Sequence, residues 1–236
     1  MIGIRSLDKY FGKVHALRKI STTIRKGRVT AIIGPNGSGK TTLIKSILGL
    51  TTPDSGEIVV GGVTLNGHCQ YRTQIGYMPQ IASFPNNLTI AEVIQMLKSL
   101  RGNSCRHDER LIEIFGLDNQ MDKSVRALSG GTKQKVSAVI AFLFYPKILI
   151  FDEPTAGLDP LSSRILKQEI LKKKEEGCTI IITTHILSEL ESLADDILFI
   201  NDGTIRFDGS VEELKKRSGA CFIEDAIANV MEGERV

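Results

Sequence analysis

Hydrophobic positions along the chain follow two different periods. Near the N-terminus, and again after residue 147, apolar residues form short runs that are typical of buried β-strands. Residues 1–33 are β-rich: apolar and polar residues alternate in His15–Ile24, and Val29–Ile33 is a continuous apolar run. Further strands are predicted at Glu57–Val60, Ile148–Phe151, Thr179–Thr183, Ile197–Asn201 and Thr204–Asp208. Asn201-Asp202-Gly203 predicts a tight hairpin turn between the last two strands.

The segments between these strands have helical spacing instead. Helices are predicted at Thr41–Gly49, Ile90–Phe115, Thr132–Tyr145, Ser162–Glu176 and Leu187–Ala194, with shorter ones at Val211–Arg217 and Cys221–Met231. Thr89 followed by Glu92 is typical of a helix start. This order of elements predicts an α/β core with parallel strands and an inserted helical lobe at about residues 81–145.

Composition excludes several broad classes of protein. The chain has 236 residues, of which 42% are hydrophobic and 24% charged, as in ordinary globular domains. A disordered, collagen-like or coiled-coil chain is therefore excluded, and the length suits one large domain or two small ones. The net charge of +3 is too small to indicate a nucleic-acid-binding face, so no nucleic-acid partner is expected.

No segment has the pattern of a signal peptide or of a membrane span. The N-terminus lacks a basic region followed by an apolar one. The longest apolar stretch, Val136–Phe151, is interrupted by Ser137, Pro146 and Lys147 and is shorter than the ~20 residues that a span needs. We therefore expect a soluble chain, whose membrane role, if it has one, needs a partner that supplies the spans.

The cysteines are too far apart for a metal-binding or redox pair. No two of them have CxxC spacing, so they predict neither a zinc site nor a copper motif. We expect buried small side chains in a reducing compartment. The four residues are Cys69, Cys105, Cys178 and Cys221.

A glycine-rich loop between a buried strand and a helix predicts a phosphate site. The segment Gly34-Pro35-Asn36-Gly37-Ser38-Gly39-Lys40-Thr41 fits the P-loop pattern. Its glycines let backbone N–H groups approach phosphate closely, and the following helix adds the positive end of its dipole. Lys40 is expected to contact the β- and γ-phosphates, and the Thr41 hydroxyl is expected to bind Mg²⁺.

Polar residues at the ends of other strands predict the rest of a hydrolytic site. Asp152 and Glu153 end an apolar strand, where side chains of a parallel sheet face the ligand crevice. Asp152 is expected to hold Mg²⁺ through water, and Glu153 to act as general base on the water that attacks the γ-phosphate. His185 ends another such strand and would reach the γ-phosphate, or be structural. Gln80 ends the stretch Gln74–Gln80 and could sense metal or water.

A second anion site is predicted before the helix at Thr132. Ser129 is an N-cap candidate, and Gly130 and Gly131 leave the helix start free of side chains. The segment could be a plain helix cap. Alternatively, it could bind the γ-phosphate of a nucleotide held by a second subunit, so that two chains share two ATP molecules.

Together these motifs resemble the ATP-binding subunits of ABC transporters. Leu128–Gln134 is similar to the family's signature motif, and the resemblance covers residue 2 to about 215. It implies an ABC-type P-loop NTPase fold with an N-terminal antiparallel β subdomain and an inserted α-helical subdomain at about 81–145. On this reading residues 1–215 form the ATP-binding domain, and residues 216–236 form a short helical tail.

The resemblance also assigns roles to single residues. It implies that the P-loop continues through Thr42 and that His185 is the switch histidine. It also implies that Gln80 lies in the Q-loop and takes part in binding the metal ion. Ala156–Asp159 corresponds to the D-loop. An aromatic residue before Gly12 should stack on adenine, which leaves Phe11 and the adjacent Tyr10 as candidates; Lys135 replaces a frequent arginine without an expected consequence.

The implied assembly is a head-to-tail homodimer around two ATP molecules with Mg²⁺. ATP hydrolysis would drive substrate through a separate transmembrane permease, and the chain would sit on the cytoplasmic face of the membrane. Phe84 and Pro85 could contact that permease or anchor the helical lobe. Phe222–Ala226 resembles the tail of exporters, and the chain is also similar to subunits that assist copper-site maturation of nitrous oxide reductase.

Other functions within and outside the family are considered. A soluble ABC ATPase acting on ribosomes or DNA usually has two cassettes or a long coiled coil, and this chain has neither. A GTPase would require an Asn-Lys-x-Asp motif, which is missing from the sequence. A regulatory ABC ATPase that hydrolyses ATP without transport stays an alternative, because only a membrane partner separates it from a transporter subunit.

Overall fold

Two β-sheets flanked by helices form the chain in our computed structural model. The structure describes residues 1–65, 67, 69–102, 105–219 and 222–232, with the backbone alone for residues 187, 188, 224 and 230–232. The strands are β1 (Ile2–Phe11), β2 (Val14–Ile24), β3 (Val29–Ile33), β4 (Ser55–Val60), β5 (Val63–Thr64), β6 (Ile75–Met78), β7 (Ile148–Asp152), β8 (Thr179–Thr183), β9 (Asp196–Asn201) and β10 (Thr204–Ser210). The α-helices are α1 (Lys40–Ile47), α2 (Ile90–Arg101), α3 (Arg110–Ile114), α4 (Gly130–Phe142), α5 (Pro160–Glu175), α6 (Leu187–Leu193), α7 (Val211–Ser218) and α8 (Ile223–Glu232).

The larger sheet is parallel except at one edge. Its strand order is β10-β9-β3-β8-β7-β6, and within the described part of this sheet only β10 pairs antiparallel with its neighbour. Every residue of β3, β7 and β8 is buried, as expected for central strands covered on both faces. The carboxyl ends of the parallel strands meet at one edge, which is where the predicted site residues follow them.

Alternate residues of the central strands pack into different cores. In β7, Ile148 and Ile150 join the core that contains α1 and the smaller antiparallel sheet, whose order is β2-β1-β4-β5. Leu149 and Phe151 join the core on the opposite face, with residues of α2, α4 and α5. The result is the predicted α/β architecture with an antiparallel sheet packed on one face of a mainly parallel one.

Local signals in the sequence are confirmed where the backbone geometry is demanding. Asp202 (φ 47°) and Gly203 (φ 72°) both adopt the positive φ that a two-residue hairpin of type I′ requires. Thr89 and Glu92 form the reciprocal hydrogen bonds of a capping box at the start of α2. The predicted helices at 162–176, 187–194 and 211–217 match α5, α6 and α7 to within two residues.

The long helix predicted at Ile90–Phe115 is wrong. The chain forms α2, which ends at Arg101, and α3, which begins at Arg110, and residues 105–109 between them are not helical. Gly102 follows α2 with φ 88°, a conformation that no helix can continue. Similarly, α4 ends at Phe142 instead of Tyr145, which has φ 47°. The hydrophobic periodicity alone did not predict that the helices end at these positions.

The sequence analysis missed two short strands. β6, at Ile75–Met78, lies at the edge of the parallel sheet and pairs with β7 from Ile75↔Ile148 to Met78↔Phe151. β5 extends the smaller sheet by two residues. Four residues that include Gly76 carry too weak a pattern to predict a strand, and β7 supplies the hydrogen bonds that define this one.

The helices of the predicted lobe follow β6, and α7 and α8 end the described part of the chain. α2, α3 and α4 are between β6 and β7, and their apolar side chains share one core with Leu149 and Phe151 of β7. The predicted domain limit at residue 215 falls inside α7. The division into domains stays a prediction. Over the described residues, no helix combines the length and the apolar character required for a membrane span.

The cysteines differ in environment. Cys178 is buried as predicted, and its thiol donates a hydrogen bond to Pro146 O at 3.2 Å. Burial raises the pKa of this thiol. Cys69 is exposed and Cys105 is partly so, which makes the prediction of burial wrong for Cys69; Cys221 lies outside the described residues.

Gly76 provides a test of how closely β6 packs on α4. A Cβ atom at this position would lie 1.9 Å from Ala141 O, whereas one at Gly3 would meet nothing within 4 Å. Neither strand glycine has positive φ. We expect Gly76→Ala to lower the free energy of unfolding by about 1–3 kcal/mol because α4 must move, and Gly3→Ala to change it by less than about 0.5 kcal/mol. Urea denaturation measures both; equal values would contradict the close packing.

Candidate functional site

The turn from β3 into α1 is a glycine loop that packs against neighbouring backbone. A Cβ atom on Gly34, at φ 147°, would lie 2.0 Å from Ile200 O. One on Gly39, at φ 109°, would lie 2.6 Å from Ala16 O. Glycine is therefore required at both ends of the loop, where α1 begins with its N–H groups directed into the turn.

Lys40 lies across this loop. Its Nζ donates hydrogen bonds to Gly34 O at 2.7 Å and to Pro35 O at 3.0 Å. Burial lowers the pKa of Lys40, while the charges of Glu153 and Asp152 oppose that shift. The ammonium group is thus fixed at the mouth of the loop, next to two carboxylates.

The two carboxylates are positioned by the pairing of β7 with β8. Asp152 lies opposite Thr183, whose Oγ1 donates to Asp152 Oδ1 at 2.5 Å. The same hydroxyl accepts from the N–H of Glu153 at 3.0 Å. Asp152 is buried, and Glu153 turns out of the strand with φ 51°, an uncommon conformation for a residue with a side chain. One threonine therefore orients both acidic residues.

Three strand ends converge on the Glu153 carboxylate. Gln80, two residues beyond β6, donates from Nε2 to Glu153 Oε2 at 3.0 Å. His185, two residues beyond β8, has Nδ1 3.3 Å from Glu153 Oε1. The structure thus brings together Gln80, Glu153 and His185, which are separated by up to 105 residues along the chain (185 minus 80).

The cleft beside this carboxylate contains most of the predicted phosphate residues. Its lining includes Asn36, Gly37, Gly39, Lys40, Thr41, Thr42, Gln80, Asp152 and Glu153. Ala16 of β2 also lines it, and no pattern in the sequence pointed to an alanine. Tyr77, on β6, was not predicted and does not line this cleft; burial, and then the charge of Asp152, raise the pKa of Tyr77 to about 12.

The two candidate aromatic residues lie at the end of β1, outside that lining. The Tyr10 ring stacks on His15, with ring centroids 3.9 Å apart and planes within 14°. Its backbone N–H donates to Asp54 Oδ2 at 2.6 Å. The Phe11 ring is 51% exposed, and Lys9 Nζ lies 5.4 Å from its centroid. Tyr10 therefore has a partner within the chain, and Phe11 presents its ring to solvent.

A second group of predicted residues forms a separate surface. The Ser129 hydroxyl caps α4 by accepting from Thr132 N at 3.2 Å. A Cβ atom on Gly131 would lie 2.9 Å from Gly157 O. Lys135 Nζ lies 2.8 Å from the exposed carboxylate of Asp159. Ser129, Gly130, Gly131 and Asp159 therefore cluster together, but none of them lines the cleft around Lys40.

A buried glutamine connects the two surfaces. Gln134, on the first turns of α4, donates from Nε2 to Gln80 O at 3.1 Å. The side chain of the same Gln80 holds Glu153. Gln134 is missing from the predicted site residues, although it is part of the segment Leu128–Gln134 on which the family resemblance rests.

The segment after Gln80 exposes one apolar side chain strongly. Phe84 is half-buried against the core of the helical lobe, which supports its reading as an anchor. Pro85 is exposed. Ile81, which was not singled out, is 79% exposed. Ile81 and Pro85 are therefore exposed apolar residues of this segment.

Comparisons with known proteins agree with one another. The family model described as "ABC transporter" matches residues 17–156. The chain is 38% identical over 220 residues to the lantibiotic transport ATP-binding protein SrtF of Streptococcus pyogenes, covering 91% of this chain and 95% of that one. It is 30% identical over 228 residues to the Nod factor export ATP-binding protein I of Ralstonia nicotianae, with 94% and 71% covered.

Solved structures give the same result. The structure of an ATP-binding subunit of an ABC transporter superposes with a TM-score of 0.91 at 28% identity, covering 98% of this chain and 99% of that chain. A dimeric ATP-binding cassette bound to ADP and phosphate superposes with a TM-score of 0.80 at 23% identity, covering 89% and 98%, and at that identity supports the fold alone.

The charge of Asp159 should make stability depend on pH. A hydrogen bond from Lys135, followed by bonds from the N–H and hydroxyl of Ser162, holds the pKa of Asp159 well below its usual range. A carboxylate whose pKa is lower in the folded chain stabilises it above about pH 4, and this contribution disappears as the pH falls towards the folded pKa. We expect Asp159→Asn, which keeps a helix cap without the charge, to lower the urea midpoint at pH 7.

The difference between the wild type and Asp159→Asn should shrink between about pH 4 and pH 2.5, where the unfolded carboxyl becomes protonated. Asp159→Ala serves as the comparison that also removes the cap, so its midpoint should be lower than that of the asparagine variant at both pH values. A constant difference between wild type and Asp159→Asn across this range would contradict the charge effect.

Proposed function

The chain belongs to the ABC transporter family as one of its ATP-binding subunits, and we propose that it hydrolyses ATP to drive export through a separate membrane protein. The observation that carries the proposal is the meeting of Gln80, Glu153 and His185 beside Lys40. A glycine turn without a function would not explain why polar residues from three strand ends contact one another beside it.

The donor set at the cleft suits Mg²⁺ bound with ATP. The Thr41 hydroxyl and the Asp152 carboxylate lie in one cleft with the Gln80 amide, and all three can offer the oxygen ligands that Mg²⁺ prefers. One or two carboxylates plus phosphates are the usual arrangement for this ion. When bound, Mg²⁺ would neutralise charge on the β- and γ-phosphates. Lys40 would contact the same phosphates.

Glu153 is the group we assign as general base. Its carboxylate is held at the cleft, where it can accept a proton from the water that attacks the γ-phosphorus. Gln80 and His185 each contact one of its oxygens, so both orient it. We assign Asp152, which accepts a short hydrogen bond from Thr183, to Mg²⁺ binding instead. The bond that breaks joins the γ-phosphorus to the oxygen that bridges the β- and γ-phosphates, and this oxygen leaves with ADP.

Two chains complete each site. Ser129, Gly130, Gly131 and Asp159 lie outside the cleft of their own chain, on an exposed surface. The helix that begins there offers free N–H groups suited to a γ-phosphate. A head-to-tail homodimer would place this surface over the ATP of its partner, and a relative of the same fold is described as dimeric.

Phe11 is the residue we assign to the adenine ring. Its ring is exposed and carries no stacking partner among the described residues, whereas the Tyr10 ring is stacked on His15. An adenine ring would compete with His15 for the face of Tyr10, whereas at Phe11 it would meet only the Lys9 ammonium, 5.4 Å from the ring centroid. Tyr10 would support the hairpin.

The proposal of export through a permease agrees with the descriptions of the relatives. Two of them are described as a Nod factor export protein and a lantibiotic transport protein. We place the chain on the cytoplasmic face of the membrane, held there by a permease that Ile81 and Pro85 contact. The cargo would be selected in that permease.

Glu153→Gln tests the chemistry. Loss of the base should reduce kcat for ATP hydrolysis by about 100-fold or more, while the Kd for ATP stays within about twofold because the amide keeps the shape of the side chain. Phosphate release and nucleotide titration measure the two quantities. Glu175→Gln, the same change at an exposed site on α5, should alter neither, and undiminished turnover in Glu153→Gln would exclude Glu153 as the base.

The same variant tests the dimer. With hydrolysis blocked, Glu153→Gln should elute as a dimer with MgATP and as a monomer without nucleotide in size-exclusion chromatography. Adding Ser129→Arg should abolish that dimer and leave ATP binding intact, because Ser129 lies outside the cleft of its own chain. A dimer that survives Ser129→Arg would contradict the assignment of this surface.

Purification from native membranes tests the transport role. The tagged chain, solubilised in detergent, should retain a multi-span protein in near-equal amount, identified by mass spectrometry. Replacement of exposed Ile81 by Asp should reduce that recovery, and replacement of exposed Leu50 by Asp should not. Recovery of ribosomal or DNA-repair proteins, or of no partner, would contradict the transporter role and leave the ATPase chemistry.

A further inference from the structure

A buried carboxylate lies beneath the loop that carries His185. Glu189 of α6 is only 3% exposed. The small cavity that it borders is lined mainly by apolar side chains of β3, β8 and α6, such as Ala31, Ile182 and Leu193. Because a charge in such surroundings is costly without partners, its contacts indicate what it does. No step of the proposed hydrolysis uses this residue.

Each oxygen of this carboxylate has one partner among the side chains that the structure describes. Lys167 Nζ, from α5, lies 3.0 Å from Glu189 Oε1. The hydroxyl of Thr184, directly after β8, donates to Glu189 Oε2 at 3.0 Å. Glu189 therefore joins α5 to the end of β8, and the lysine compensates the buried charge.

The Thr184 hydroxyl fixes the backbone on both sides of His185. While donating to Glu189, its oxygen accepts from the N–H of Ile186 at 3.0 Å. The residue before the histidine and the residue after it are thus linked by a single hydroxyl. Since the hydroxyl hydrogen points at Glu189, an oxygen lone pair of Thr184 remains to accept from the N–H of Ile186.

The histidine itself has little other support. Its side chain is 72% exposed, and its Nδ1 lies 3.3 Å from Glu153 Oε1. A ring that is mostly in solvent is not held by packing, so the distance to Glu153 depends on the backbone that carries it. That backbone is the segment held by Thr184.

We propose that Glu189 is a positioning residue for hydrolysis: held by Lys167, it fixes the Thr184 hydroxyl and thereby keeps the His185 ring at Glu153. The proposal rests on the proposed role of His185. Glu189 touches neither nucleotide nor attacking water, so its removal should slow turnover without weakening ATP binding.

Glu189→Leu is the direct test. Leucine suits the apolar lining, and the freed Lys167 can reach solvent because its side chain is 30% exposed. We expect kcat for ATP hydrolysis to fall about tenfold and KM to stay within about twofold. Glu191→Gln is the matched control: it removes a carboxylate from the same helix that contacts Lys215 and Ile223 N instead of the His185 loop. It should leave kcat unchanged.

A second pair of variants keeps the test valid if Glu189→Leu folds poorly. Thr184→Val removes both hydrogen bonds of the hydroxyl with little change of shape, and Thr184→Ser keeps them. The valine variant should reproduce the fall in kcat of about tenfold, and the serine variant should stay within about twofold of the wild type. Equal kcat values for the two variants would overturn the proposal.

A double-mutant cycle with His185→Ala separates positioning from general stability. If Glu189 acts through the histidine, Glu189→Leu should lower kcat in the wild-type background and have no further effect in His185→Ala. Effects that multiply in the double variant would overturn the role of Glu189 while leaving that of His185. A His185→Ala variant with unchanged kcat would instead contradict the role proposed for His185 itself.

Discussion

The parallel pairing of β7 with β8 is the constraint on which the site depends. Its register sets Asp152 opposite Thr183, so that one hydroxyl can donate to Asp152 and accept from the N–H of Glu153. A shift by one residue would turn these side chains to the other face and bury the wrong set. Alternate side chains of both strands pack into two different cores. That packing holds the register, so the hydrophobic core fixes the chemistry at the sheet edge.

The start of α4 connects the two halves of the ATP cycle that we propose. Ser129 and the glycines after it form the surface assigned to the ATP of a partner, and Gln134 on the same helix bonds the backbone of Gln80. Gln80 in turn holds Glu153. Closure of a dimer onto Ser129 would therefore act, through α4 and the bonds made by Gln134 and Gln80, on the carboxylate that we assign as general base.

Buried carboxylates with cationic partners fasten the helices around this edge. Glu169 of α5 accepts two hydrogen bonds from Arg110 of α3, and Asp196 of β9 accepts from Arg25 and Arg28. Glu189 has the same character beside His185. Removing one partner of such a pair leaves an uncompensated charge, which is far more damaging than replacing both. These pairs therefore connect partly exposed side chains to buried elements of the fold.

Local patterns were sufficient to predict the central strands, the glycine loop and the acidic pair, because continuous apolar runs and glycines at fixed spacing are properties of short segments. The other features depend on contacts between segments that are distant along the chain. β6 exists because β7 pairs with it, α2 and α3 are separate because Gly102 takes positive φ, and Phe11 is distinguished from Tyr10 by the stacking of His15. The meeting of Gln80 and His185 at Glu153 likewise depends on strands distant along the chain, whose contacts no local pattern encodes.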